Sequence, residues 1–464
     1  LLFHACSAQH ETQEQQPGAR RQWQQQNECQ IRRINPQEPD RSIKSEAGVT
    51  EVWDENDDQF QCAGVAAVRH TIEQRGLLLP AYSNAPKLIY VDQGRGFHGA
   101  AFPGCPETYQ SEEESQQEQR QGSRDQHQKV REIRRGDVIA IPAGVVDWFY
   151  NDAQSPLVLV QIFDTSSSDN QLDQNFRKFF LAGNPQRQVQ GQRGQQSRHL
   201  HQAGEQHRGQ QGQRSGNIFQ AIDEQFLAEA FNIDTDLARR IKSENDNRGI
   251  IVRVQQELEF LSPRFSQQER QSRREGGDDR YNGIEETFCT AKLKVNIDDP
   301  SRADVFNPRA GRLTTVNSFN LPILRQLQLS AQKGFLYRNA LMTPHWNTNA
   351  HSVAYITRGS GQVQIVNENG ESVFDGQVQQ GQIITAPQGF AVIKRAGNEG
   401  LEWVAFKTND NAKINQIAGR ASTIRAIPRD VLAHAFGVSR EEAQRIKFSR
   451  REVSLFSPGN QSQQ

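Results

Sequence analysis

The sequence has little of what the common catalytic sites require. Methionine occurs once and cysteine five times in 464 residues, and no two cysteines stand in the C-x-x-C spacing of redox or zinc sites. Neither a P-loop nor a G-x-S-x-G or H-E-x-x-H motif is present. The glycines of GRGFHG (94–99) lack the βαβ pattern that surrounds a nucleotide site. These absences argue against the enzyme classes that the motifs define.

The chain also lacks long apolar runs and a net charge. Hydrophobic residues make up 35% of it, and no run approaches the roughly 20 apolar residues of a membrane span. The formal net charge is −1, which gives no basic footprint for nucleic acid. Its Arg-rich tracts are interleaved with acidic residues and have few aromatic side chains on which bases could stack. We therefore expect no membrane partner and no nucleic-acid partner.

The near-zero total charge conceals two halves of opposite sign. Residues 1–282 contain 33 Lys and Arg against 40 Asp and Glu, whereas residues 283–464 contain 21 against 15. The border between this acidic half and this basic half is the pair Asn282-Gly283, which directly follows a highly polar tract. An Asn-Gly pair often forms a hairpin turn, but here no opposing strand precedes it. An accessible loop of this kind favours proteolytic processing instead.

The first ten residues, LLFHACSAQH, read as the end of a secretory leader. Cys6 and Ala8 are small residues at the −3 and −1 positions of a cleavage site, so we expect a cut between Ala8 and Gln9 and a signal-peptide remnant at 1–8. Four cysteines then remain: Cys29, Cys62, Cys105 and Cys289. An even number in an oxidising compartment predicts two disulfides, for which three pairings are possible.

Polar tracts alternate with short apolar stretches along the chain. The tracts 108–128, 186–216 and 264–281 contain too few apolar residues to offset the entropy of ordering, which predicts mobile loops. Between them stand stretches such as PKLIYVDQGRG, GDVIAIPAG and SPLVLVQIFD, bounded by turn residues. This arrangement is typical of an all-β sandwich or barrel.

Three segments of the chain occur twice, in the same order. The pairs are 80–96 with 344–361, 136–144 with 381–389, and 227–242 with 432–447. The last pair, LAEAFNIDTDLARRIK and LAHAFGVSREEAQRIK, has apolar residues at helical spacing around a polar turn. Asp234 and Ser439 in those turns are predicted N-caps of a second helix. The sequence therefore indicates an internal duplication of strands followed by a helix pair.

The repeated G-x5-P-x-G element resembles the second motif of the cupin family. It occurs at Gly136, Pro142 and Gly144, and again at Gly381, Pro387 and Gly389. The resemblance implies a mainly β protein with two tandem jelly-roll β-barrels, each followed by a small helical extension.

The stretch NGIEETFC (282–289) is similar to the processing site of legumin-type (11S) seed storage globulins. NECQIRRINPQEPDRSIKSEAGVTEVWDENDDQFQC, LIYVDQGRG, RLTTVNSFNLPIL and PHWNTNAHS extend the resemblance over nearly the whole chain. It implies an N-terminal cupin domain at 9–263, a disordered linker at 264–282 and a C-terminal cupin domain at 283–464. The implied function is storage of nitrogen and carbon in seeds, with the Gln-rich and Arg-rich tracts as reserve.

The same resemblance implies how the chain matures. Disulfides are expected at Cys29–Cys62 and Cys105–Cys289, and an asparaginyl endopeptidase is expected to cut between Asn282 and Gly283. The acidic and basic chains would then stay linked through Cys105–Cys289. Assembly into homotrimers, and into hexamers after processing, is expected along a secretory route to the protein storage vacuole.

Enzymatic cupins bind a metal through H-x-H-x4-E and a later His, and this pattern is broken in the second barrel. His345 stands at the first His position, but Asn347, Ser352 and Val392 occupy the other three. His351 lies off the motif, which favours a polar group at the barrel mouth. One ligand of four cannot hold a divalent ion.

The first barrel departs further from the metal-binding pattern. Tyr82 and Lys87 lie near the expected ligand positions, and Asp147 replaces the His of the second motif. We therefore expect no metal, no cofactor and no enzymatic activity. Two alternatives stay open: a metal-dependent bicupin enzyme, and a bicupin that binds a small ligand at a barrel mouth near Tyr82 or near His345 and Trp346.

The charge balance predicts salt-dependent solubility. We expect the assembled protein to precipitate at low ionic strength near pH 7 and to dissolve when salt is added, because a net charge of −1 provides little repulsion and salt screens the attraction between patches. Turbidity across a salt series measures this. A clear solution in salt-free buffer near neutral pH would contradict the prediction.

Overall fold

The structure is a computed structural model, and it describes residues 29, 31–102, 130–185, 216–256, 258 and 291–458. Several predicted features lie outside the described residues. They are the Ala8–Gln9 cleavage site, Cys105, Cys289, Asn282-Gly283, the tracts 108–128 and 264–282, and all but the last residue of 186–216.

The first barrel consists of two antiparallel sheets. Its strands are β1 (Arg41–Ser45), β2 (Gly48–Val52), β3 (Val65–Ile72), β4 (Gly76–Ser83), β5 (Lys87–Gln93), β6 (Arg95–Ala101), β7 (Arg131–Arg134), β8 (Asp137–Ile141), β9 (Val146–Tyr150), β10 (Leu157–Asp164), β11 (Lys178–Phe180), β12 (Ile251–Arg253) and β13 (Lys294–Asn296). One sheet has the order β1-β2-β3-β10-β5-β8-β13, and the other has the order β11-β4-β9-β6-β7 with β12 also paired to β4. Residues from both sheets, among them Ile72, Phe149 and Leu159, are buried in one cluster. The predicted jelly-roll architecture is confirmed.

The second barrel is a curled sheet built around two long strands. Its strands are β14 (Val305–Asn307), β15 (Gly311–Val316), β16 (Ser330–Leu336), β17 (Leu341–Asn347), β18 (Ser352–Val366), β19 (Ser372–Gln379), β20 (Ile383–Ala386), β21 (Ala391–Lys407), β22 (Ile414–Gln416) and β23 (Leu455–Phe456). Strands β18 and β21 pair along most of their length, with irregularities near the middle. At this bend Gly359 has φ of +73°, and a Cβ would lie 2.2 Å from the carbonyl oxygen of Gly400. The bend therefore requires glycine.

Short helices accompany the barrels. They are α1 (Asp58–Ala63), α2 (Glu224–Phe231), α3 (Thr235–Lys242), α4 (Leu324–Leu327), α5 (Thr423–Ala426), α6 (Arg429–Phe436) and α7 (Arg440–Phe448), with a 3-10 turn at Pro300–Arg302. Among the described residues, no helix combines the length and the apolar character needed to cross a membrane.

The repeated helix pairs begin where the sequence predicts. Asp234 caps α3 by accepting a hydrogen bond from Leu237 N at 2.8 Å. Ser439 caps α7 by accepting from Glu442 N at 3.1 Å, and the Glu442 carboxylate accepts from Ser439 N at 2.9 Å in return. This capping box satisfies two amide groups that the first helical turn leaves free. Both predicted N-caps are confirmed.

A third apolar core lies between the two barrels. Alternate residues of a strand point to opposite faces of its sheet, so Ile89 of β5 packs inside the first barrel while Tyr90 packs outside it. Tyr90 belongs to a buried cluster with Val353 and Phe406 of the second barrel. Burial on both faces explains why the β5, β8 and β10 segments read as continuous apolar runs without alternation.

Polar groups connect the barrels beside this core. Arg69 of β3 forms a two-point ion pair with Glu51, at 2.7 and 2.8 Å, and also donates to the Tyr355 hydroxyl of the second barrel at 3.2 Å. Lys333 of β16 donates to the Tyr90 hydroxyl at 2.8 Å. Apolar burial alone has no direction, so these bonds fix the relative orientation of the barrels.

The N-terminal arm, residues 31–37, crosses from the acidic half to the second barrel. Ile34 is 1% exposed within the core of that barrel, and its N–H donates to the Val373 carbonyl at 2.8 Å. Gln37 exchanges two backbone hydrogen bonds with Ile383, at 2.7 and 2.9 Å. A disulfide joins Cys29 to Cys62, with their Cα atoms 4.7 Å apart, and ties the start of the arm to α1.

A reciprocal crossing comes from the start of the basic half. Strand β13 pairs with β8 of the first barrel, and Leu293 beside it is 1% exposed within the core of that barrel. The Ile297 N–H donates to the Gly136 carbonyl at 2.7 Å. Each half of the sequence therefore completes the barrel that the other half forms. This holds even though the border between the acidic half and the basic half lies between the two barrels in the sequence.

Because the N-terminal arm packs on the second barrel, a substitution in the arm should destabilise that barrel, although the arm belongs to the acidic half of the sequence. Ile34→Ala removes a fully buried side chain and should cost about 2–5 kcal/mol. Hydrogen–deuterium exchange should then accelerate in β19 and β20 of the second barrel. The matched control is Ile43→Ala in β1, which lies at the edge of the first barrel and should leave those strands protected. Faster exchange confined to the first barrel in the Ile34 variant would refute the crossing.

Candidate functional site

Two of the cupin ligand positions of the second barrel meet in one small cup, and the cup holds the amino group of Lys407. Lys407, at the end of β21, pairs with Ser352 of β18. Its Nζ donates to Asn347 Oδ1 at 2.7 Å and to Ser352 Oγ at 2.9 Å. Asn347 and Ser352 are the residues that replace the second His and the Glu of the metal motif. Two of the side chains at the metal-ligand positions therefore bind the lysine amino group.

His345 lies beside this cup but is turned toward the backbone. It is 2% exposed, and its Nδ1 is 2.8 Å from the Thr343 carbonyl oxygen. Burial, with a smaller contribution from the positive charges of Lys394 and Lys407, holds the pKa of His345 well below its usual range. The imidazole is therefore neutral. Val392, at the fourth ligand position, is the cross-strand partner of His345 and offers no donor atom.

The cup of the first barrel is filled by a salt bridge. The Lys87 ammonium donates to Asp147 Oδ1 at 2.5 Å, and the two side chains are only 1% and 2% exposed. Lys87 stands where the motif has Glu, and Asp147 stands where it has the last His. Tyr82, the remaining sequence candidate, stacks on Phe179 with ring centroids 4.9 Å apart. A buried ion pair of this kind neutralises both charges within the protein.

Sequence reasoning missed His98, which faces the same cup from β6. It is fully buried, and its Nε2 lies 4.0 Å from Asp147 Oδ2. Burial, followed by the cations Arg131, Lys87 and Lys294, holds the pKa of His98 well below its usual range. His98 follows no cupin motif. Its only signal is the alternation of β6, which places it on the interior face.

The residues present do not fit a divalent metal. Across the described parts of the chain, no three His, Cys, Asp or Glu side chains come together in a way that could hold an ion. In each cup, a lysine Nζ donates to the oxygen atoms that a metal would need as ligands, and burial lowers the pKa of the Lys407 amine well below its usual range. His351, the additional candidate, accepts a hydrogen bond from the Gln388 N–H at 3.3 Å.

The outer surface of the helix pairs is a second candidate site. Phe226 and Phe231 of α2 are 68% and 51% exposed, and Val431 and Phe436 of α6 are both 54% exposed. Phe231 and Phe436 correspond to each other in the internal duplication. Large apolar side chains at matching positions of both modules are typical of a contact surface for another protein chain.

Comparison with known proteins agrees with the architecture. The family model described as Cupin matches residues 34–187 and 295–444. An 11S globulin seed storage protein of Anacardium occidentale is 51% identical, over 98% of this chain and 96% of that protein. The crystal structure of pumpkin seed globulin is 47% identical with a TM-score of 0.79, over 93% of this chain and 100% of that one. Recombinant pro-11S globulin of pumpkin is 46% identical with a TM-score of 0.77, over the same shares.

Lys394 gives a pH-dependent test of the electrostatics around His345. The residue is 8% exposed, and its Nζ lies over the Trp403 ring without a side-chain ion pair or hydrogen bond among the described residues. Burial lowers its pKa from 10.5 to about 8. The charged form is therefore disfavoured in the folded state. Its cost is fully present below about pH 8 and disappears as the pH rises toward the unfolded-state pKa.

We expect Lys394→Met to raise the free energy of unfolding by about 3 kcal/mol near neutral pH, and by less than half of that at about pH 9.5. Urea unfolding at the two pH values measures the difference. Lys413→Met, at an exposed position of the same barrel, should change the free energy by less than about 0.5 kcal/mol at both. A gain that is equal at both pH values would show that the charge of Lys394 is not its cause.

Proposed function

The chain belongs to the 11S globulin family of cupin-fold seed storage proteins, and from this premise we propose how its barrels, tracts and linker serve a nutrient reserve. The protein stores nitrogen and carbon in the seed. Gln and Arg carry extra side-chain nitrogen and are concentrated in the tracts 108–128, 186–216 and 264–281, where they do not disturb a core. The barrels supply the compact framework that carries these tracts.

The observation that carries the non-enzymatic part of the proposal is the lysine Nζ in each cup. Lys407 is held by the two residues that would otherwise be metal ligands, and Lys87 is paired with Asp147. Neither arrangement leaves an open position for a substrate on a metal. A metal-dependent bicupin enzyme is therefore disfavoured, and the barrels act as structural units.

We propose that an asparaginyl endopeptidase cuts the chain between Asn282 and Gly283. A domain at 9–263 would then become the acidic chain and one at 283–464 the basic chain, with 264–282 as the linker between them. The polar sequence of that linker supports accessibility to a protease. The proposed disulfide Cys105–Cys289 and the two crossings would keep the chains together, because Ile34 and Leu293 are each buried in the barrel of the other half.

We propose that three chains associate through the exposed faces of α2 and α6. Burial of Phe226, Phe231, Val431 and Phe436 against a neighbouring barrel would stabilise the contact, and a head-to-tail contact of this kind closes into a ring. Cleavage after Asn282 would free the linker from the face of the trimer, and two trimers would then stack into a hexamer. The proposed leader, cut between Ala8 and Gln9, would send the precursor through the secretory pathway to the storage vacuole.

A second Asn-Gly pair provides an internal control for the processing site. Asn369-Gly370 lies in the turn between β18 and β19, where the Asn369 N–H donates to Asn367 Oδ1 at 3.0 Å and the Gly370 N–H donates to the Asn367 carbonyl at 3.1 Å. A folded hairpin of this kind does not present an extended segment to a protease. We therefore expect cleavage at Asn282 and none at Asn369.

Treatment of the precursor with an asparaginyl endopeptidase tests the proposed cleavage and the proposed assembly. For a chain of 52.5 kDa, reducing gels should separate pieces of roughly 30 and 20 kDa, which stay together without reductant. Size exclusion should change from trimer to hexamer. Asn282→Gln should block both changes, and Asn369→Gln should block neither. Hexamers formed by uncleaved Asn282→Gln protein would disprove the gating role of the linker.

A further inference from the structure

The second barrel contains a cavity that storage does not require. Its volume is about 130 Å³, and Val305, Leu313, Met342 and Ile414 form an apolar wall. His345 and Gln416 line it as well and supply polar atoms. An apolar protein cavity of about 150 Å³ binds benzene, so this cavity has the size for one aromatic ring.

Two polar atoms of the cavity lining are hydrogen-bond acceptors without a donor. The His345 Nδ1 is 2.8 Å from the Thr343 carbonyl oxygen, which can only accept, so Nδ1 carries the proton and Nε2 has the free lone pair. Among the described residues, no group donates to this Nε2. The Gln416 Nε2 donates to Ser454 Oγ, while the Gln416 Oε1 is buried without a partner in the described part of the chain. These two acceptors therefore lack a hydrogen-bond donor, which a ligand could supply.

The cavity lining disfavours ionic ligands. Asp304 is an exposed residue of the lining whose carboxylate accepts from the Thr315 N–H at 2.7 Å, and its negative charge would repel an anion. A cation would have to give up its hydration against the apolar wall, which is costly. An uncharged ligand avoids both effects.

We propose that this cavity is a binding site for an uncharged single-ring compound with a hydroxyl or N–H donor, which donates to His345 Nε2 or Gln416 Oε1. The apolar wall contacts the ring, and the acceptors select the donor. Of the four ligand positions of the cupin metal motif, only His345 belongs to the lining of this cavity. Binding here requires neither a metal nor catalysis and is a property separate from storage.

Met342 makes the proposal directly measurable, because it is the only methionine in the chain and lies in the cavity wall. Full-length protein labelled with ¹³C at the methionine methyl group gives one methyl resonance. Titration with phenol should shift this resonance saturably, because an aromatic ring in the cavity lies against the methyl group. A resonance that stays unshifted up to about 20 mM phenol would overturn the proposal, since that concentration exceeds the dissociation constant expected for a seven-atom ligand.

Matched ligands test whether the two acceptors select a ligand that carries a hydrogen-bond donor. Toluene has nearly the size of phenol but no donor, and it should bind at least about tenfold more weakly, since one hydrogen bond is lost. Benzoate should give no shift at concentrations that saturate with phenol. Equal affinity for phenol and toluene would contradict the role of the two acceptors, and tight binding of benzoate would contradict the charge argument.

Matched variants test the location. Ile414→Trp places an indole in the cavity and should abolish the phenol-induced shift, whereas Phe306→Trp changes a neighbouring side chain that is 64% exposed and should leave binding intact. Gln416→Leu removes one acceptor without adding bulk or a second methionine, and it should weaken phenol binding by about tenfold, with no effect on toluene. It serves as the decisive variant if Ile414→Trp does not fold. Wild-type affinity in a folded Ile414→Trp protein would refute the site.

Discussion

Burial of both faces of the sheet that contains β5, β8 and β10 constrains nearly every other part of the molecule. One face closes the first barrel, and the opposite face, with Tyr90, packs against Val353 and Phe406 of the second barrel. The barrels therefore share a core and cannot separate without exposing it to water. The arm with Ile34 and the strand with Leu293 extend this dependence, because each half of the sequence completes the barrel of the other half.

The two cups occupy the ligand positions of the cupin metal motif in different ways. A buried polar group without a partner is costly, and in each cup a lysine Nζ supplies a partner for part of the set. Lys87 of β5 donates to Asp147 in the first barrel, and Lys407 of β21 donates to Asn347 and Ser352 in the second. Asp147 Oδ2, Asn347 Nδ2 and both ring nitrogens of His98 have no hydrogen-bond partner among the described residues. Because the two lysines stand at unrelated positions, the internal duplication does not extend to the contents of the cups.

Sequence reasoning recovered the features that short motifs encode. The duplication, the jelly-roll architecture and the N-caps at Asp234 and Ser439 are all local patterns with a defined period or spacing. Contacts between distant residues carry no such pattern. The bond from Lys407 to Asn347 joins positions 60 residues apart, His98 belongs to no motif, and the crossing of Ile34 joins segments that are separated by most of the chain. Only packing determines these contacts, so they required the structure.

The reciprocal crossings also set an order of events during synthesis. Ile34 leaves the ribosome about 340 residues before its partner Val373, which at 5–20 residues per second is a delay of roughly 17–70 s. Until then the arm has no barrel to enter, and the first barrel lacks β13 until residue 296 has been made. Each barrel can therefore finish folding only after the segment contributed by the other half has been made. The polypeptide must therefore stay continuous until translation has passed both crossings, since an earlier break would leave two incomplete fragments instead of an interlocked pair.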